Sequence, residues 1–230
     1  MGDSFSDVWL MNADGSSAKA LTQFRSADVK SCHWAFQPVW SPDGKQIAYV
    51  SEATSIDLAL WTMNADGTSR RQVAVLANYS GGIDNPTWVP DGTRIAVTAY
   101  RDAAPQIWTL NLKSGEWLQI TKNPDGAYDA SWSPDGKRVA YVARDQGKND
   151  VWIINADGSL PVQVTTNGWC RAPAWSPDSA YVGSMCEVGG YFDFWTVKVT
   201  AAESKISLGT PEQVTKNAQL DPASGISWAK

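Results

Sequence analysis

The stretch Pro38-Val39-Trp40-Ser41-Pro42-Asp43-Gly44-Lys45-Gln46-Ile47-Ala48-Tyr49-Val50 spells out a β-hairpin. An apolar run ends in Trp40, a Pro-Asp-Gly turn follows, and a second apolar run leaves it. Proline pre-sets φ for a type I turn, and glycine takes the left-handed position that a three-residue, bulged hairpin loop requires. The pattern returns at Pro86-Thr87-Trp88-Val89-Pro90-Asp91-Gly92, at Ala130-Ser131-Trp132-Ser133-Pro134-Asp135-Gly136 and at Pro173-Ala174-Trp175-Ser176-Pro177-Asp178-Ser179. A fifth copy starts at Ile226-Ser227-Trp228 and stops with the chain. A chain built this way folds as a repeat architecture or not at all.

A second unit alternates with the first. It reads Asp7-Val8-Trp9-Leu10-Met11-Asn12-Ala13-Asp14-Gly15, and recurs around Trp61, Trp108, Trp152 and, more loosely, Trp195. Each copy runs into a turn and a short strand ending near Leu21-Thr22, Val73, Ile120-Thr121, Val164-Thr165 or Val214-Thr215. Every repeat therefore holds four short strands, called a, b, c and d in chain order. The framework tryptophans of strand a (40, 88, 132, 175, 228) and of strand c (9, 61, 108, 152, 195) recur at steps of 43 to 53 residues. Four-stranded units at that period predict an all-β fold, a β-propeller of antiparallel blades. Blades buried on both faces explain why the strands are near-continuous Val, Ile, Leu, Trp and Ala. Hydrophobic residues make up 43% of the 230, enough to fill such interfaces. One propeller domain over 1–230 is expected, with repeats at 6–23 (partial), 37–75, 85–121, 129–165, 172–215 and 225–230 (partial).

The W-S-P-D-G-K-x-I-A-Y hairpin followed by W-x-M-N-A-D-G-S resembles the TolB-type, WD-like propeller repeat over nearly the whole chain. Members usually carry six or more blades and work in the bacterial periplasm or outside the cell. The resemblance thus implies an extracytoplasmic setting. Counting strands gives five copies of a, c and d but four of b. If Trp228 joins the strands of Trp9 and Leu21, the ring closes as a five-bladed monomer with an incomplete closing blade. The alternative is a piece of a six-bladed or larger ring. Closure is the expectation, because an open ring exposes two apolar blade faces.

A net charge of −5 argues against nucleic acid and anionic membranes as partners. No apolar run approaches the ~18 residues of a membrane span, so no membrane insertion is expected. No secretory signal opens the chain, and Met1-Gly2 reads as an expression start. His33 is the single histidine and no G-x-S-x-G elbow exists, so no catalytic residues are assigned. The recurring Asn-Ala-Asp-Gly partly matches a calcium loop, but it lacks the further acidic positions and distal glutamate, and reads as a c–d turn. No metal site and no cofactor are expected.

The a–b and c–d turns are tight and share one end of the propeller. The d–a and b–c connections, among them 23–37, 76–85, 100–105, 144–150 and 187–192, are longer and share the other. They carry Arg25, Trp34, Phe36, Tyr79, Tyr100, Arg101, Tyr128, Arg144, Trp169, Arg171 and Tyr191, the aromatic and arginine composition of an interaction surface. Ten of the 13 tryptophans fit the framework; Trp34, Trp117 and Trp169 do not, and Trp117 reads as outer-edge packing. The expected function is a non-catalytic module that binds a protein or peptide through this long-loop face and its axial mouth. A glycan-binding propeller and a substrate-gating propeller of a hydrolase are the alternatives. One further expectation concerns cysteine. With a three-residue loop pairing Ser176 with Ala180, six positions outward bring Cys170 opposite Cys186, within disulfide reach. Cys32 would stay free.

Overall fold

The structure is a computed structural model; it describes residues 6–23, 34–52, 58–76, 82–101, 104–202, 205–221 and 225–228. Among these there is no helix, and the strands fall into successive antiparallel sheets. A two-stranded sheet comes first, β1 (Trp9–Leu10) with β2 (Lys19–Ala20). Blade 1 follows, ordered β3 (Ala35–Trp40), β4 (Gln46–Ser51), β5 (Ala59–Asn64) and β6 (Arg71–Val75). Blade 2 is β7 (Ile83–Trp88), β8 (Arg94–Ala99), β9 (Gln106–Asn111) and β10 (Trp117–Gln119). Blade 3 is β11 (Ala127–Trp132), β12 (Arg138–Asp145), β13 (Lys148–Asn155) and β14 (Val162–Gln163). Blade 4 has β15 (Cys170–Trp175), β16 (Tyr181–Val188) and β17 (Tyr191–Ala202). Two short strands then pair with β17, namely β18 (Lys205–Leu208) at its far end and β19 (Glu212–Gln213) in the strand-d position. The β17–β18 hairpin is an insertion the repeat did not foretell.

Each core cluster straddles two neighbouring sheets. Val8 and Leu21 meet Ile47, Tyr49 and Met63; Leu60 meets Trp88 and Ile95; Ile107 meets Trp132 and Tyr141; Val151 and Ile153 meet Trp175 and Val182. The apolar residues on both faces of a strand are therefore used, one face for each neighbour. Burying a side chain of this size contributes ~1.5–3 kcal/mol. Trp88, Trp132 and Trp175 are 6–7% exposed.

Polar clamps close the outer strands. Thr22 Oγ1 donates to Asp7, Thr121 Oγ1 to Gln106, Thr165 Oγ1 to Asp150 and Thr215 Oγ1 to Asp193, while each threonine accepts a strand-c N–H. Asp150 and Asp193 are buried, yet each is fully engaged by such donors.

The a–b hairpins differ from the expected geometry twice. Ser41 N–H bonds the Gln46 carbonyl, and Ser176 N–H the Tyr181 carbonyl, so four residues rather than three lie in each loop. The extra residue is recovered inside strand a, where a bulge sets two residues against one: Phe36 pairs with Val50, but Val39 with Ala48. The same shift occurs in β7, β11 and β15. In β15 the two offsets cancel, so Cys170 does oppose Cys186, and the two are joined by a disulfide.

Ring closure through Trp228 is not formed among the described residues. Residues 225–228 are not a strand, and β1 pairs with β2 alone. Trp228 lies instead on blade 4, edge-on to Phe194 at 5.9 Å, with Nε1 donating to the Ala174 carbonyl at 3.2 Å. Among the described residues no strand b stands between Trp228 and β1, so the closing blade is not completed there.

Candidate functional site: the axial mouth

Aligned on the framework tryptophans, the four a strands build the long-loop end in tiers. The residues just before strand a are Trp34, Gly82, Gly126 and Trp169. Glycine is required at two of them. A Cβ on Gly82 would lie 2.9 Å from Leu58 Cβ, and one on Gly126 2.9 Å from Pro105 Cγ. Trp34 and Trp169 sit at the same level, each in a parallel bridge near the start of a strand c, to Ser6 just ahead of β1 and to Asn149 in β13, and are 39% and 51% exposed.

The next tier but one, the second residue of each strand, holds Phe36, Asp84, Tyr128 and Arg171, all half-buried. Then comes the first bulge residue, Gln37, Asn85, Asp129 or Ala172, with φ of 53°, 47°, 56° and 52°. A left-handed conformation repeated four times at non-glycine residues stores strain, which concentrates at functional positions. These residues line an axial cavity of about 410 Å³, together with Gly225 and Ile226.

Hydrogen bonds link three of the four bulge residues along one side of that cavity. Gln37 Nε2 donates to Asn85 Oδ1 at 2.9 Å, Asn85 N–H returns a bond to Gln37 Oε1 at 2.9 Å, and Asn85 Nδ2 donates to Asp129 Oδ1 at 3.0 Å. Burial, reinforced by the Asp84 charge, pushes the Asp129 carboxyl above its ordinary value, and Arg171 only partly offsets this. Burial also raises the Tyr100 and Tyr128 phenols, with Asp84 and Asp129 adding to the first and Asp129 to the second. The Arg171 guanidinium lies 5.0 Å from the Phe192 ring centroid, a cation–π distance, and its Nε meets no acceptor among the described residues. The cavity wall itself offers the Asp129 carboxylate and the Gln37 and Asn85 amides, with Tyr100, Tyr128 and Arg171 within electrostatic reach of Asp129.

The expected residues divide accordingly. Tyr100, Tyr128 and Arg171 lie within electrostatic reach of Asp129 beside the mouth, and Phe36 is half-buried in β3 opposite Val50; Trp34, Trp169 and Tyr191 are exposed at the same end of the molecule. Arg101 leaves it, its guanidinium lying 4.5 Å from the Trp108 ring and 5.9 Å from that of Trp117. Arg144 is an exposed strand residue opposite Asn149. Arg25 and Tyr79, like Cys32 and His33, lie outside the described residues. The b–c connections of blades 3 and 4, expected to be long, are two-residue turns at Gln146-Gly147 and Gly189-Gly190 that lengthen the flanking strands. Gln37, Asn85, Asp84 and Asp129 were missed. Their signal was available: the third residue before each framework tryptophan is Gln, Asn, Asp or Ala, three of them polar and two of the kind that tolerates positive φ.

The chain is similar to known proteins along most of its length. It is 33% identical over 93 residues to the Tol-Pal system protein TolB of Alcanivorax borkumensis, covering 40% of this chain and 20% of that protein. It is 28% identical over 122 residues to dipeptidyl-peptidase 5 of Porphyromonas gingivalis, covering 51% and 16% respectively. These matches therefore span a fifth or less of each relative's length. The solved structure of putative TolB from Agrobacterium tumefaciens superposes with a TM-score of 0.71 at 22% identity, over 90% of this chain and 69% of that one, and shares the fold. The family model for the TolB beta propeller domain matches residues 4–213, a span that takes in every blade described above. The chain belongs to the TolB beta propeller domain family.

Proposed function

We propose that this propeller is a non-catalytic binding module that captures a protein or peptide at its long-loop end. The observation that carries the reading is the mouth itself: a cavity of about 410 Å³ ringed by four left-handed bulge residues, with Trp34, Trp169 and Tyr191 exposed at the same end. Aromatic anchors beside a polar, strained pocket suit an extended peptide or a loop of a partner, with Arg171 available to a carboxylate or a ring. The setting proposed is extracytoplasmic. The Cys170–Cys186 disulfide supports it, since such bonds persist in oxidising compartments.

Selection of peptides from a displayed random library, followed by titration of the winners, tests the reading. Selected peptides should bind Trp169→Ala and Arg171→Ala at least tenfold more weakly than wild type, while Asp66→Ala at the opposite end leaves affinity unchanged. Binding indifferent to both mouth substitutions would overturn the assignment. A glycan array on the same variants separates the lectin reading. The similarity to dipeptidyl-peptidase 5 favours a second reading, in which the same mouth admits peptides to a hydrolase; peptides that pass without a measurable affinity would support it.

A further inference from the structure

One position of the repeat holds a buried aromatic ring in blades 1 and 3 and a serine in blade 4. It is the strand-b residue paired with the framework tryptophan of strand c: Tyr49 with Trp61, Val97 with Trp108, Tyr141 with Trp152 and Ser184 with Trp195. Tyr49 and Tyr141 are 0% and 1% exposed and pack against the preceding sheet, the first with Val8 and Leu21, the second with Ile107 and Ile120. The Tyr49 ring stacks on Trp61 at 6.4 Å. In blade 2, where the residue is valine, the Arg101 guanidinium lies over the Trp108 ring instead. Trp195 has neither a ring nor a guanidinium over it among the described residues.

Between blades 3 and 4 lies a cavity of about 290 Å³. Val164 and Thr165 of blade 3 form one wall, and Ser184, Cys186, Trp195 and Val197 of blade 4 form the other. Thr166, Val188 and Pro211 also line it and are exposed, so it opens at the surface. The junction of blades 2 and 3 holds a cavity of about 300 Å³ as well, but there Tyr141 stands in the wall and the space reaches the Asp157-Gly158 turn.

Two features distinguish the blade 4 cavity from a packing fault. Ser184 is 2% exposed, and among the described residues its hydroxyl has only the Cys186 sulfur, at 3.7 Å, as a partner. Sulfur is a weak acceptor, so a buried hydrogen-bonding group is left largely unused at the cavity wall. The Cys170–Cys186 disulfide is part of the same wall and ties β15 to β16. A cavity persists where its walls cannot collapse onto it, and a covalent staple opposes that collapse. Its volume is at the small end of ligand pockets and suits one ring rather than a drug-sized molecule.

We propose that this cavity binds a small single-ring phenol. The ring takes the space that tyrosine fills in blades 1 and 3, and its hydroxyl bonds Ser184. The site shares no lining residue with the axial cavity and does not depend on the function proposed there.

Calorimetric titration of the whole oxidised chain with phenol, and with toluene as the ring of the same shape without a hydroxyl, is the test. Phenol should bind wild type saturably, with a dissociation constant of about 1 mM or tighter. Ser184→Ala keeps the cavity and removes the hydroxyl, so phenol should weaken by about tenfold while toluene keeps its wild-type affinity. Ser184→Tyr places the ring of the repeat itself in the cavity, so it should abolish phenol binding and raise the melting point. Absence of saturable phenol binding to wild type would overturn the proposal. So would phenol affinity that falls no more than that of toluene in Ser184→Ala, a comparison that decides alone should Ser184→Tyr fail to fold. Undiminished phenol binding to a folded Ser184→Tyr chain would overturn it as well.

Discussion

The tight turns and the axial mouth of this propeller use the same residue, aspartate, in opposite ways. At the tight-turn end Asp43, Asp135 and Asp178 each accept a bond from the serine two residues before and the backbone N–H two residues after. Asp14 and Asp66 do the same in the c–d turns with the N–H and hydroxyl of Ser16 and Thr68. Those bonds hold the Asp14, Asp43, Asp66 and Asp178 carboxyls below the ordinary range. At the mouth, Asp129 has one amide donor, a second carboxylate nearby and little water, and moves the other way. One end spends its carboxylates on its own turns. The other keeps a carboxylate whose charge the fold does not fully satisfy, which is where a ligand has something to gain.

The contrast can be broken hardest at the mouth. Replacing Cys170 and Cys186 together by serine removes the staple across β15 and β16, whose sequence separation is 16. The chain-entropy account gives ~3 kcal/mol for a loop of that size. Denaturant melts should show that loss in the oxidised protein, and non-reducing peptide mapping should recover the two peptides linked. Next comes the turn end. Ser133→Ala removes a hydroxyl that donates to Asp135 and accepts from Arg138 N–H, for about 1–2 kcal/mol with mouth binding unchanged. If that substitution impaired peptide binding, the two ends would not be independent.

Asp129→Asn sharpens the comparison with a smaller effect. It removes a charge that burial and Asp84 disfavour, so stability at neutral pH should stay level or rise by up to about 1 kcal/mol, while affinity for a cationic peptide falls. The pH dependence is the subtlest measurement. The turn aspartates have folded values below the ordinary 3.8, so their stabilisation is complete above 3.8 and drains away as pH falls through the lower folded values. Asp129 has a folded value above 3.8, so the native state binds the extra proton first and stability rises slightly as pH falls through that value. Melting points from neutrality to about pH 2 should therefore rise a little and then drop. Asp129→Asn should abolish the rise and keep the drop.

Much of this was legible because the signal was periodic. Trp, Pro-Asp-Gly and β-branched runs at a fixed interval leave little choice of strand order, and they located every a, b and c strand of blades 1 to 4. What failed was whatever happens once. Composition made 144–150 and 187–192 look like loops, but Gln146-Gly147 and Gly189-Gly190 suit two-residue turns, and the strands simply continued. The β18 strand has no counterpart in other blades to betray it. Arg101 has the composition of an interface residue, yet two tryptophans on its own blade are closer than any ligand. The opposition of Cys170 and Cys186 was reached with a loop one residue too short and no bulge, two errors that cancel in β15. The mouth residues Asp84 and Asp129 went unseen because neither belongs to a repeated motif, and only superposing the four a strands brings their positions into line.

The core clusters, each confined to one pair of neighbouring sheets, give the molecule a grammar of local dependence. No described cluster joins three blades, so cooperativity must pass along the chain by nearest-neighbour coupling, as in a one-dimensional array. In such an array the interior units are held from two sides and the terminal ones from one. Amide exchange should accordingly be slowest in β8, β9, β12 and β13 and fastest in β1 and β2, whose described core contacts are with blade 1. Within the described blades, 2 and 3 would then be the last to let go.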